Sequence, residues 1–154
     1  MNGFLNEREE KYFSSAYDET VELLRRLCAI PAPSHHEDAR AEFCLEWLRA
    51  NGAAEAYIDE AKNVVCPVCC EGAEKISVLM AHMDTVFPDT EPMPQREEDG
   101  RLYCPGVGDD TANLAVMLMC AKCVLQNGLR PKDGRGFLFV CNSCEEGLGN
   151  LKGS

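Results

Sequence analysis

Over residues 6–29 the apolar positions Tyr17, Val21, Leu24 and Cys28 recur at three- and four-residue steps, which predicts one amphipathic helix stopped by Pro31 and Pro33. Ser34, three residues ahead of Glu37, reads as a capping box that opens a second helix bearing Phe43, Cys44, Trp47 and Leu48 and ending at Asn51-Gly52. His35 and His36 fall in its first turn as solvent-facing residues and receive no ligand role. Beyond Gly52 the pattern shortens, and residues 56–58, 63–70 and 76–81 read as strands, with Glu71-Gly72 turning between the last two. Residues 76–81 are nearly all apolar, as expected of a strand covered on both faces. A loop with Pro88, Pro92 and Pro94 follows. Residues 113–126 are apolar around most of a helical circumference and predict a buried helix, and 137–141 predict another buried strand. The expected architecture is α/β: a three-layer sandwich with helices over a mixed, mostly buried sheet.

A length of 154 residues, 45% of them hydrophobic, suits a single domain able to fill a core. The net charge of −11 argues against nucleic acid or an anionic membrane as partner, because phosphate would be repelled over most of the surface. The longest apolar run, residues 114–121, is far short of the roughly 20 needed to cross a bilayer. The N-terminal MNGFLNEREEKYF has no basic stretch followed by an apolar one, so a cytoplasmic location is expected, with the ten cysteines as reduced thiols.

Candidate chemistry gathers at three acidic stations: His82-Met83-Asp84, Gly108-Asp109-Asp110 and Glu145-Glu146-Gly147. Each borders a predicted buried element, and α/β sheets take ligands at such ends. Residues two apart on an extended chain point to the same side, which lets Asp84 orient the His82 imidazole. So many carboxylates beside a buried sheet call for a cation, and carboxylate with imidazole suits zinc, with manganese or cobalt as substitutes.

The motifs AHMDTV, GVGDDTANLAVML and FVCNSCEEGLGNLKG, in that order, resemble those of the dinuclear zinc exopeptidases and deacylases of the peptidase T, desuccinylase and aminoacylase type. The likeness runs over about residues 17–154, and the third motif is most similar to peptidase T-like tripeptide aminopeptidases. The resemblance implies that His82 binds one zinc, Asp109 bridges two and Glu146 binds the second. It further implies that Asp84 supports His82 and that Glu145 is the general base acting on a water held between the metals. The implied function is zinc-dependent, aminopeptidase-like hydrolysis of short peptides or N-acylated amino acids. Because Glu145 and Glu146 are neighbours, a regular strand would separate them, so their motif is expected in a turn.

Members of that group are longer than 154 residues. The resemblance implies that a further acidic ligand, a late histidine, an inserted lid or dimerisation domain and the C-terminal part of the catalytic domain lie outside residues 1–154. Weak zinc binding, little or no peptidase activity and a homo-oligomer formed through an exposed sheet edge are the corresponding expectations for this chain. Thr111 stands where many relatives have lysine, which leaves the local charge less compensated. A rival reading uses Cys66-x-x-Cys69, Cys120-x-x-Cys123 and Cys141-x-x-Cys144 as structural zinc spacings, with Cys66, Cys69 and Cys70 as main contributors to a binding module. A catalytically silent interaction protein is a third. No Gly-x-x-x-x-Gly-Lys loop or nucleophile-elbow serine occurs.

Overall fold

The computed structural model describes residues 7–131, 134–147 and 149–154. Asn6, the expected start of the first helix, and Leu148 of the third motif lie outside the described residues. The described residues open with α1 (Glu7–Ser15) and α2 (Tyr17–Cys28), where one helix was expected. Helical hydrogen bonding runs through the junction, from Ala16 N–H to the Tyr12 carbonyl and from Thr20 N–H to that of Ala16, each at 2.9 Å. The Ser14 and Ser15 hydroxyls donate to the Glu10 and Tyr12 carbonyls just before it, a local competition that bends helices.

Helix α3 (Asp38–Ala50) starts after Glu37, and the capping box does not form. The Ser34 hydroxyl is drawn off to Asp84, and Glu37 accepts the N–H groups of His35 and Cys144 instead. His35 and His36 therefore sit in the loop before the helix, not in its first turn. Next come β1 (Tyr57–Ile58), β2 (Val64–Val68) and β3 (Lys75–His82). Within the expected proline loop the chain also makes a hairpin of β4 (Arg96–Glu98) and β5 (Arg101–Tyr103). Its two-residue turn is Asp99-Gly100, both at positive φ, the left-handed pairing that matches strand twist. A tight turn over Val107–Thr111 leads into α4 (Ala112–Gln126), and β6 (Arg135–Asn142) follows.

The strands build a mixed four-stranded sheet in the order β1-β2-β6-β3. β2 is antiparallel to both β1 and β6, and β3 is parallel to β6. Helices α3 and α4 touch each other and pack on the sheet, so they cover one face. There Val64, Cys66, Ala81, Phe139 and Cys141 join Leu23, Leu27, Leu48, Leu114 and Leu118 in a single core cluster. The mixed α/β class is as expected, while a second helical layer is not among the described residues.

Strand β3 departs from the expected double burial. It lies at the sheet edge, and Ile76, Val78, Leu79 and Met80 are 40 to 51% exposed. An apolar run specifies a strand that wants covering, but whether it is covered depends on what packs beside it. No helix among the described residues is long and apolar enough to cross a membrane.

Candidate metal centre

The parallel pair β3 and β6 sets the site. Pairing His82 with Asn142 brings the C-terminal ends of both strands level; the first and third acidic stations leave the sheet at this end, and the Asp109 turn reaches the same end from outside the sheet. The ladder continues one step beyond, with Met83 N–H donating to the Asn142 carbonyl at 2.7 Å. His82 is buried against the strand end. Its Nε2 lies 3.2 Å from Asp109 Oδ1 and 3.7 Å from Glu145 Oε2. One donor atom each from His82, Asp109 and Glu146 falls within 4.8 Å of the others.

Asp109 and Asp110 divide the work of their turn. Asp109 departs from helical geometry at φ −135 and sends its exposed carboxylate to the imidazole. Asp110 turns back and accepts the His82 backbone N–H at 3.1 Å. Gly106 makes the turn possible: it sits at φ +73, and a Cβ there would come within 2.6 Å of the Thr85 side chain.

Asp84 is fully buried, and its part is larger than orienting an imidazole. The His82 Nδ1 faces the Asp84 backbone carbonyl at 3.0 Å, with the carboxylate farther off at 3.5 Å. The carboxylate itself accepts the Ser34 hydroxyl at 2.6 Å and the backbone N–H groups of Glu145 and Glu146, each at 3.0 Å. It thus ties the chain after β3 to the chain after β6. Cys144, at φ +53, makes the corner out of β6, and its N–H is held by Glu37 at 3.0 Å. The Glu145-Glu146 motif accordingly lies in a turn past the strand, and both side chains reach the same edge.

Burial alone would lower the His82 imidazole, but its bonds to Asp84 and Asp109 and the charge of Asp110 outweigh it and raise the pKa to about 9. Burial likewise would raise Asp84, yet His82, Ser34 and the two glutamate N–H groups hold it down at about 2. Glu146 is raised, first by burial and then by the charge of Asp109. Crowded carboxylates around one buried imidazole form a donor set suited to a divalent cation.

Two contributors escaped the sequence. Ser34 reads as a helix cap and serves Asp84 instead. Arg40 occupies a core-facing position of α3, in step with Ala41, Cys44, Trp47 and Leu48, and is fully buried. A charged residue on that stripe was the available signal. Its Nη1 lies 3.5 Å from the Thr111 hydroxyl, so a cation stands beside the position where the local charge was expected to lack one. The cysteine reading gains nothing here. Among the described residues the only three or more His, Cys, Asp or Glu side chains grouped closely enough to share an ion are His82, Asp109 and Glu146. None of the ten cysteines is in a disulfide, and Cys66 and Cys141 are packed in the core.

The sequence profile of peptidase family M20/M25/M40 matches residues 78–154, which hold all three stations. The chain is 36% identical over 97 residues to a putative LysW-lysine/LysW-ornithine hydrolase of Pyrobaculum aerophilum, covering 63% of this chain and 27% of that one. It is 29% identical over 133 residues to the succinyl-diaminopimelate desuccinylase of Corynebacterium glutamicum, covering 86% of this chain and 35% of that one. The chain therefore spans about a third or less of these curated relatives. Among solved structures, a tripeptidase from Staphylococcus aureus superposes with TM-score 0.68 at 26% identity, over 89% of this chain and 39% of that one. Human carnosine dipeptidase 1 shares the fold, with TM-score 0.70 at 16% identity, over 89% of this chain and 34% of its own.

Proposed function

The chain belongs to peptidase family M20/M25/M40, and from that premise we propose that its 154 residues carry the divalent-metal half-site and general base of an amide-hydrolysing enzyme acting on short peptides or N-acylated amino acids. The observation that carries this reading is the convergence of His82, Asp109 and Glu146 within 4.8 Å. These three would hold zinc, with Asp109 shared between two ions when both are bound. Manganese or cobalt suits the same donors. A dication there supplies Lewis acidity to the scissile carbonyl and makes water more acidic.

The remaining work falls to the chain's own groups. Glu145 is the general base: its carboxylate is partly exposed, opens onto the same edge 3.7 Å from His82 Nε2 and is oriented by its own N–H bond to Asp84. It takes a proton from the attacking water and passes it to the departing amine. Asp84 holds the histidine and both glutamates in one frame. The similar proteins named as a hydrolase, a desuccinylase and a tripeptidase support the reaction class.

Zinc titration of the chain tests the reading, with a panel of dipeptides, tripeptides and N-acyl amino acids as substrates. His82→Ala, Asp109→Asn and Glu146→Gln are expected to weaken zinc about 10-fold or more, while Glu145→Gln keeps the metal and loses whatever weak hydrolysis the parent chain shows. Zinc binding indifferent to all three ligand substitutions would remove the site.

A further inference from the structure

Among the described residues Arg40 is the largest fully buried side chain, and no carboxylate lies within ion-pair distance of it. A buried guanidinium is tolerated only where its N–H groups are satisfied. The acceptors it finds are informative. Its Nε and Nη2 fork onto the Ile30 carbonyl, the first at 3.1 Å. Its Nη1 donates to the Met83 carbonyl at 2.7 Å and faces the Thr111 hydroxyl at 3.5 Å.

Each acceptor belongs to a different segment of the candidate centre. Ile30 opens the stretch that delivers Ser34 to Asp84. Met83 stands between His82 and Asp84. Thr111 ends the turn that carries Asp109 and Asp110. The Thr85 N–H donates to the Ala32 carbonyl at 2.9 Å and so joins the first two segments through the backbone, but among the described residues the Asp109 turn has no backbone bond to either, so side chains hold it in register. The carboxylates of Asp109, Asp110, Glu145 and Glu146 meanwhile gather on the open side above the buried Asp84, and their mutual repulsion tends to spread the same segments.

We propose that Arg40 is a positioning residue of the metal centre: from beneath, its guanidinium clamps the Met83 carbonyl to the Thr111 end of the acidic turn and to Ile30, holding His82 and Asp109 at ligand spacing. The role rests on the metal-site reading for its purpose, but the clamp itself exists without metal. Its fixed charge also faces the acidic cluster from the dry side, where attraction is screened least. Lysine retains the charge but lacks the planar fork that reaches several acceptors.

The experiment uses the full chain with Arg40→Met, Arg40→Lys and Thr111→Val. In the metal-free protein, amide hydrogen exchange is followed in segments 82–85 and 107–111 against α4. Cobalt(II) is then titrated and read by its visible absorption. Arg40→Met is expected to speed exchange in both segments while α4 keeps its protection, to weaken cobalt about 10-fold or more, in the range seen for lost partners of metal ligands, and to alter the band shape. Arg40→Lys is expected to fall between Arg40→Met and the parent. A folded Arg40→Met with parental exchange and parental cobalt affinity overturns the proposal. Should Arg40→Met not fold, Thr111→Val decides: faster exchange confined to 107–111 supports the clamp, and unchanged exchange there overturns it. Failure of the parent chain to bind cobalt would sink the metal reading alone, and the exchange comparison would still judge Arg40.

Discussion

The carboxylate of Asp84 accepts the backbone N–H of Glu145 at 3.0 Å across 61 residues of chain, and in doing so joins the segment after β3 to the segment after β6. The second oxygen does the same for Glu146 and also takes the Ser34 hydroxyl. A fully buried carboxylate with this many donors is a structural hub as well as a neighbour of His82.

Asp84→Asn keeps the shape but replaces one acceptor oxygen with an NH2 group that opposes an N–H donor. Leaving a buried donor unsatisfied costs about 1–3 kcal/mol. The expected result is a Tm lowered by several degrees in thermal unfolding, at about 2–4 °C per kcal/mol for a chain of this size. Ser34→Ala, which removes one donor and leaves two, is expected to lower Tm less. Equal losses from the two variants would show that Asp84 does not act as the hub.

Gly106→Ala confronts two obstacles, a φ of +73 and a Cβ 2.6 Å from Thr85 Cγ2. The left-handed backbone alone costs a non-glycine residue about 1 kcal/mol, and the clash adds to it. Thr85→Ser removes the clashing methyl group, so the double variant should recover part of the loss but not the backbone share. Urea midpoints of the two single variants and the double variant measure this, and simple additivity would contradict it.

Leu118 is 1% exposed in the middle of the core, whereas Val116 on the same helix is 53% exposed. Leu118→Ala is expected to cost about 2–5 kcal/mol, transfer plus cavity. Val116→Ala should stay within about 0.5 kcal/mol. Equilibrium unfolding in urea separates them, and a comparable loss at both sites would mean that Val116 is covered in solution.

The exposed edge strand carries Ile76, Val78 and Met80 on one face and Leu79 on the other, all partly exposed. Such an edge templates pairing with another chain. Light scattering is expected to find a mass that rises with concentration, and Val78→Lys together with Met80→Glu is expected to lower it. A concentration-independent monomer would contradict association through β3.

Much of this arrangement was legible along the chain. Residues 76–81, 113–126 and 137–141 read as strand, helix and strand, and each recurs within a residue or two of its place in β3, α4 and β6. His82, Asp109 and Glu146 stood out because chemistry-bearing side chains bordered apolar runs, and they do come together. Asp99-Gly100 was also a local turn signal, yet proline-rich surroundings hid the hairpin. Ser34 had two competing uses, and the fully buried carboxylate of Asp84, just past the end of β3, took its hydroxyl in place of the nearby helix end.

Periodicity and the residues punctuating it are local properties, so order, type and approximate extent of the elements follow from amino-acid order, as does the inventory of possible ligands. Coverage and partnership are not local. That β3 lies at an edge, that Asp84 serves two glutamates and that Arg40 reaches three segments all depend on which elements end up adjacent, and adjacency is chosen by the packing of the whole core.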